Sequence, residues 1–109
     1  MEKLYVVIPC YNEEEVLKET KKRLREKMNN LIHAKMISKE SKIIFVNDGS
    51  KDKTWDLIQQ FYEEDKLFGG INLSRNRGHQ NALLAGLLTV KDDADIVISM
   101  DADLQDDID

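Results

Sequence analysis

The sequence predicts a single α/β domain of three layers, α/β/α, with helices on both faces of a mostly parallel sheet. Three observations carry that prediction. Leu4-Tyr5-Val6-Val7-Ile8 and Ile43-Ile44-Phe45-Val46 are apolar runs of strand length without alternation, as expected for strands buried on both faces. Strand and helix signals alternate strictly, β-α-β-α-β-α-β, which calls for parallel pairing through right-handed crossovers. Every polar motif directly follows a strand. In an open parallel sheet such loops share one edge, and ligands bind there at the point where the strand order reverses. A strand order of 3-2-1-4 places that crevice between strands 1 and 4.

The first strand is expected to stop at Pro9, which cannot donate to a ladder. Asn12 suits a helix N-cap, and Glu13-Glu14-Glu15 suit a first turn, where carboxylates meet the positive end of the dipole. Val16, Leu17, Thr20, Leu24, Met28 and Leu31 recur at helical spacing. A helix is therefore predicted over 13–30, its lysines and arginines forming a solvated face. The second strand, 42–46, leads into Asn47-Asp48-Gly49-Ser50, a turn by composition. Ser50 or Asp52 can cap the next helix, which carries Trp55, Leu57, Ile58, Phe61 and Tyr62. Gly69 and Gly70 precede a short third strand, Ile71-Asn72-Leu73, and Ser74 to Gly78 make a polar loop. The third helix runs through Ala82, Leu83, Leu84, Leu87, Leu88 and Val90, and Ala82, Ala85 and Gly86 are small enough to let it lie close to the sheet. After a turn at Lys91-Asp92-Asp93-Ala94, the fourth strand, Ile96-Val97-Ile98-Ser99-Met100, runs straight into Asp101-Ala102-Asp103-Leu104-Gln105.

The 109 residues suffice for one small domain and not for two. A net charge of −5 argues against general nucleic-acid binding, which needs a basic surface. It leaves a nucleotide open, since a metal ion and a few backbone amides can hold a diphosphate. Cys10 is the only cysteine, so an internal disulfide is excluded and a reducing compartment fits. No apolar stretch reaches the length of a signal peptide or a membrane span.

Asp101 and Asp103, with Gln105 behind them, gather oxygen donors at a strand end. Hard cations such as Mg²⁺ take one or two carboxylates together with substrate phosphates. The plainer alternative is a strand end closed by turn-forming acids. Asp48 either makes an Asx turn to Gly49 and Ser50 or accepts hydrogen bonds from a base edge. Glu13 either starts a helix or reaches a ribose or base. Tyr11 either stacks on a base or covers the sheet edge. Arg75 and Arg77 are basic residues placed to neutralise a phosphate, or simply surface arginines. His79 opens the third helix and reads as structural; Trp55 reads as core, and neither His33 nor Cys10 has a partner that suggests a role.

With these residues in view, the chain resembles the family-2 glycosyltransferases of the GT-A fold, a Rossmann-like architecture. Val6-Val7-Ile8-Pro9-Cys10-Tyr11-Asn12-Glu13 is similar to their first strand and loop, Val46-Asn47-Asp48-Gly49-Ser50 to their second-strand motif, and Met100-Asp101-Ala102-Asp103-Leu104-Gln105 to their Asp-x-Asp element. Ser74-Arg75-Asn76-Arg77-Gly78-His79-Gln80 and Ala82-Leu83-Leu84-Ala85-Gly86-Leu87 are most similar to the polyprenyl-phosphate branch, which includes dolichol-phosphate mannosyltransferases and bacterial undecaprenyl-phosphate glycosyltransferases. The resemblance implies transfer of a sugar from a UDP- or GDP-sugar donor, with inversion, to an acceptor such as a polyprenyl phosphate. It implies that Pro9, Tyr11, Glu13 and Asp48 hold the nucleoside, with Asp101 and Ala102 against the ribose and diphosphate; Arg77 is kept as a donor-binding candidate on its position alone. Asp103 and Gln105 would ligate Mg²⁺ or Mn²⁺ with Asp101 close by, making Asp101 and Asp103 the acids of the reaction.

The branch usually has a proline soon after the positions of Gln105-Asp106, where this chain has Asp107-Ile108-Asp109. Residues 1–109 are accordingly expected to form the donor-binding part of a longer fold, cut short at its C-terminal side. Such a piece should bind nucleotide weakly, transfer little or no sugar, and self-associate through surface that the remainder would cover. The resemblance further implies a cytoplasmic protein, held at the membrane face by later segments. Three other classes fit the topology: a phosphoacceptor receiver domain, a non-catalytic nucleotide-binding module, and a nucleotidyltransferase. The first needs clustered acids after strand 1 and a lysine after a fifth strand. The last needs a glycine-rich basic loop after strand 1, where this chain has Pro9-Cys10-Tyr11.

Overall fold

A computed structural model describes residues 1–102. Its elements are β1 (Leu4–Cys10), α1 (Leu17–His33), β2 (Lys42–Asp48), α2 (Thr54–Glu64), β3 (Phe68–Leu73), α3 (His79–Val90) and β4 (Ile96–Ser99). The four strands form one all-parallel sheet in the order β3-β2-β1-β4. The predicted alternation and strand order are thus both present.

The unbroken apolar runs follow from coverage on both faces. Along β1, Leu4, Val6, Ile8 and Cys10 enter one core with Ile43 and Phe45 of β2, beneath Leu17, Leu24 and Met28 of α1 and Ile58 and Phe61 of α2. The alternate residues Tyr5 and Val7, with Ile44 and Val46, enter a second core with Ala82 and Val90 of α3. Phe45, Phe61 and Phe68 form an aromatic cluster in the first core, with centroids 5.7 to 6.1 Å apart. Placing α1 and α2 on one face and α3 on the other is what crossovers of one hand require when the chain reverses its direction across the sheet. The small residues of α3 serve the predicted close approach. A Cβ on Gly86 would stand 2.4 Å from Val7 Cγ1 and 3.0 Å from Val46 Cγ2.

Three local expectations are corrected. Pro9 does not end β1 but lies within it, opposite Val46. Met100 N–H donates to Val7 C=O, so Val7 and, by alternation, Pro9 turn their backbone groups toward β4. Since β4 ends at Ser99, the donor that proline lacks costs no bond to β2. Gly69 and Gly70 belong to β3 rather than preceding it, because they lie under bulky neighbours: a Cβ on Gly70 would stand 2.6 Å from Ile58 Cγ2. Finally, α1 starts at Leu17 and not at Glu13. Asn12 is no N-cap: its φ is +52° and its Oδ1 accepts Lys51 N–H at 2.8 Å.

Beyond β1 the sheet ends in β4, a strand of four residues. Ile96 and Ile98 stand opposite Leu4 and Val6 on the α1 face, yet both are exposed, as are Leu84 and Leu88 on α3.

Candidate functional site

The loops after β1 and β2 are fastened to each other before they can form a site. Asn12 N–H donates to Ser50 Oγ at 2.9 Å, Glu13 N–H to Thr54 Oγ1 at 2.9 Å, and Glu14 N–H to Asp52 Oδ2 at 3.3 Å. Asp52 also accepts Thr54 N–H at 2.9 Å and its hydroxyl, and so serves the first turn of α2 as expected, although Lys53 occupies the N-cap position. Its slight burial would raise its pKa, but the hydrogen bonds from Thr54 and Glu14 outweigh that and hold the carboxyl below its ordinary range.

Asp48 closes β2 and is buried, with Oδ1 accepting Arg77 N–H at 2.7 Å. The bond within this turn comes from Asn47 instead, whose Oδ1 accepts Ser50 N–H, three residues on, at 3.2 Å. Gly49 is the residue that lets the β2 and β3 loops meet. Its φ is +70°, and a Cβ there would lie 2.2 Å from the backbone nitrogen of Asn76. Asp48 is therefore bound to the third loop from below.

A crevice of about 310 Å³ opens above these contacts, lined by Pro9, Tyr11, Glu13, Asp48, His79 and Asp101, with Cys10, Asn76 and Ala102 completing it. It lies at the carboxyl edge between β1 and β4, where the topology requires it. Past Asp101 it adjoins a second hollow of about 260 Å³, reached by Pro9, His79, Leu83, Ser99 and Met100. Burial first, and then the Glu13 carboxylate, push the Cys10 thiol far above its ordinary pKa. The thiol donates to Ile8 C=O at 3.4 Å and is unsuited to nucleophilic work.

Six of the sequence-predicted residues, Pro9, Tyr11, Glu13, Asp48, Asp101 and Ala102, meet at this crevice. Arg77 contributes its backbone amide to Asp48, while the side chains of Arg75 and Arg77 are absent from the lining. Asp103 and Gln105 lie outside the described residues. Among the described residues, no three of His, Cys, Asp and Glu come together as a ligand set. His79, read from the sequence as structural, also lines the crevice. Its Nε2 lies 3.8 Å from Asp101 Oδ1 across the crevice, and both side chains are open to solvent. The available signal was its place directly after Gly78, at the start of a helix whose N-terminus faces the ligand edge.

A larger hollow, about 620 Å³, lies at the opposite edge of the sheet between Lys3, Asn29, Glu40, Lys42, Lys66 and Asp93. Its polar groups answer one another: Lys42 Nζ donates to Lys66 C=O at 2.6 Å, and Ser41 Oγ accepts Leu4 N–H at 2.9 Å.

Comparison with known proteins extends this picture. The family model described as Glycosyl transferase family 2 matches residues 5–109. The chain is 54% identical over 105 residues to the uncharacterized glycosyltransferase YkoT of Bacillus subtilis, covering 96% of this chain and 31% of that protein. It is 39% identical over 106 residues to a prophage bactoprenol glucosyl transferase homolog of Escherichia coli, covering 97% of this chain and 32% of the relative. The chain thus spans about a third of the length of the relatives it matches. Among solved structures, the mannosyltransferase PcManGT from Pyrobaculum calidifontis, in complex with GDP-Man and Mn²⁺, superposes with a TM-score of 0.71 at 22% identity, over 94% of this chain and 28% of that one. TarS 1-349 of S. aureus, in complex with UDP, superposes with a TM-score of 0.65 at 23% identity, over 93% and 27%. The GT-A fold is common to all three.

Proposed function

This chain belongs to glycosyl transferase family 2, and from that premise we propose that its crevice binds the nucleotide of a UDP- or GDP-sugar as the donor part of an inverting glycosyltransferase. One observation carries the proposal. The crevice between β1 and β4 has the buried acceptor Asp48 at one end and the solvent-open carboxylate of Asp101 at the other, with Pro9 and Tyr11 between them. A base edge has N–H donors to offer Asp48, and a diphosphate needs its charge met at the other end. Membership of this family sets aside the receiver-domain and nucleotidyltransferase alternatives.

The donor set at the Asp101 end is made of oxygens, which suits a hard cation. Asp101, Asp103 and Gln105 would hold Mg²⁺ or Mn²⁺. When bound, the ion supplies Lewis-acid compensation for charge on the departing nucleoside diphosphate. The chain's own residues do the rest. Asp48 orients the base while Arg77 N–H fixes its carboxylate. Tyr11, half open at 41%, offers a ring face for stacking. His79 places an imidazole beside Asp101.

The Mn²⁺ in the PcManGT complex and the UDP in the TarS complex support a nucleotide and a divalent ion, and the bactoprenol glucosyl transferase homolog supports a polyprenyl phosphate acceptor. Such an acceptor carries its own negative charge and needs little help from a base. It would bring the protein to the cytoplasmic face of a membrane. Among the described residues, no helix is long and apolar enough to cross one. Among the described residues β4 is an edge strand, which predicts self-association of the 109-residue chain, measurable by light scattering.

Calorimetry with UDP- and GDP-sugars, with and without Mn²⁺, tests the proposal. Binding should strengthen with Mn²⁺, and Asp103→Ala should abolish that gain. An unchanged gain in Asp103→Ala would sink the assignment, and measurable transfer by the 109-residue piece would overturn its restriction to the donor part.

A further inference from the structure

Thr20 is a hydroxyl in the wrong place for a solvated helix and the right place for a latch. It lies in the first turn of α1 and is 2% exposed, on the face that meets the core. Its hydroxyl reaches two carbonyls, that of Val16 at 3.1 Å and that of Ala102. The Val16 carbonyl is the ordinary i−4 acceptor, and Thr20 N–H already donates to it at 3.0 Å. A threonine hydroxyl has one proton to give. The demand for it is greater at Ala102, which is 3% exposed and out of reach of water.

Ala102 is the middle residue of Asp101-Ala102-Asp103. Its methyl sits in the core shared with Leu17, Leu24 and Ile8. Side chain and carbonyl are thus both anchored on α1, whereas the Asp101 side chain before it stands open in the crevice. The peptide unit that carries the Ala102 carbonyl is planar and joins Ala102 to Asp103. Restraint at that carbonyl is restraint on the residue that directly follows Asp101. We infer that Thr20 is a positioning residue: its hydroxyl latches the Ala102 carbonyl, and with it the chain that leaves β4 through Asp101, to α1, so that the Asp101 carboxylate is held for metal and diphosphate before either arrives.

The inference rests on the proposed donor site, and the test separates the two. Thr20→Val keeps the shape and removes the hydroxyl; Thr20→Ser keeps the hydroxyl and removes the methyl. Amide hydrogen exchange of the segment 100–103, referenced to the β1 and β2 amides, is measured on the 109-residue chain, together with calorimetric UDP affinity with and without Mn²⁺. In Thr20→Val the referenced exchange should rise roughly tenfold, the ratio that matches loss of one net hydrogen bond. The Mn²⁺-dependent gain in UDP affinity should fall while Mn²⁺-free affinity stays, and Thr20→Ser should behave as the parent chain does. Should Thr20→Val not fold, Thr20→Ala set against Thr20→Ser makes the same comparison. Unchanged exchange in Thr20→Val, or a Thr20→Ser as loose as Thr20→Val, overturns the latch and leaves Thr20 a packing residue. Faster exchange in Thr20→Val, with no Mn²⁺-dependent UDP binding in the parent chain, upholds the latch and overturns the donor-site reading instead.

Discussion

The carboxyl edge of the sheet holds a crevice of about 310 Å³ and the amino edge a hollow of about 620 Å³, yet it is the smaller one that has the makings of a site. At the amino edge several polar groups bond one another, Lys42 with the Lys66 carbonyl, Asp65 with Arg25, Ser41 with the Leu4 amide. At the carboxyl edge backbone amides hold the loops, through Asn12, Asp48 and Asp52, and the side chains of Asp101 and His79 are left standing in the opening. Volume measures where loops fail to meet. A site needs groups whose bonding capacity remains to be used, on a frame that does not depend on them.

That contrast can be broken most directly at Gly49. Gly49→Ala introduces a Cβ that would lie 2.2 Å from the Asn76 backbone, at a φ of +70°. It should destabilise the chain by about 2–3 kcal/mol, measured by urea unfolding, with nucleotide binding lost alongside. A loss below about 0.5 kcal/mol would mean that the second and third loops are not locked together.

Asp48→Asn is the next largest. The amide oxygen can still accept Arg77 N–H, so the fold should survive, but the charge offered to the base is gone. UDP affinity should drop about tenfold, or about 1.4 kcal/mol. Retained affinity in calorimetry would remove Asp48 from the base end of the crevice.

Asp52 sharpens the contrast through pH. Its carboxyl is held below the ordinary value of about 3.9. Its contribution to stability is therefore complete above that value and is lost as pH falls through the lower folded one. Asp52→Asn should flatten the acid limb of a stability–pH curve and leave stability at neutral pH nearly pH-independent, as before. An unaltered acid limb would show that the stitching of the two loops does not depend on this charge.

The smallest effect belongs to the amino edge. Arg25→Ala removes an ion pair with Asp65 at 2.9 Å whose arginine side chain is 53% exposed. It should cost less than about 0.5 kcal/mol, less still in high salt, and leave nucleotide affinity untouched. A change in affinity would bring the larger hollow back into contention.

How much of this was legible beforehand depended on the range of the forces involved. The strands and their parallel pairing were readable, because double-sided burial writes itself into unbroken apolar runs such as 4–8 and 43–46, whereas their order was supplied by the doubly wound topology and not by any residue. The crevice's position followed from topology, and six of its residues from the motifs at the strand ends. What stayed hidden depended on contacts between distant loops. Asn12 looked like a cap until Lys51, 39 residues on, took its oxygen. Arg77 read as a phosphate neighbour, and the bond its backbone amide makes to Asp48 had no signal in the sequence. His79 read as a helix start, and its place 3.8 Å from Asp101 depended on the meeting of α3 with the end of the sheet.

By itself, then, the sequence determined the layers and the direction of the chain through them, because hydrophobic period and crossover hand act over a few residues and recur along the whole chain. Tertiary structure alone decided which polar atoms are used up in holding the loops and which remain for a ligand. Thr20 shows why. Nothing at helical spacing distinguishes its hydroxyl from that of any other buried threonine. Its partner, the Ala102 carbonyl, lies 82 residues away, and only the packing of Ala102, beyond β4, into the core under α1 brings the two together.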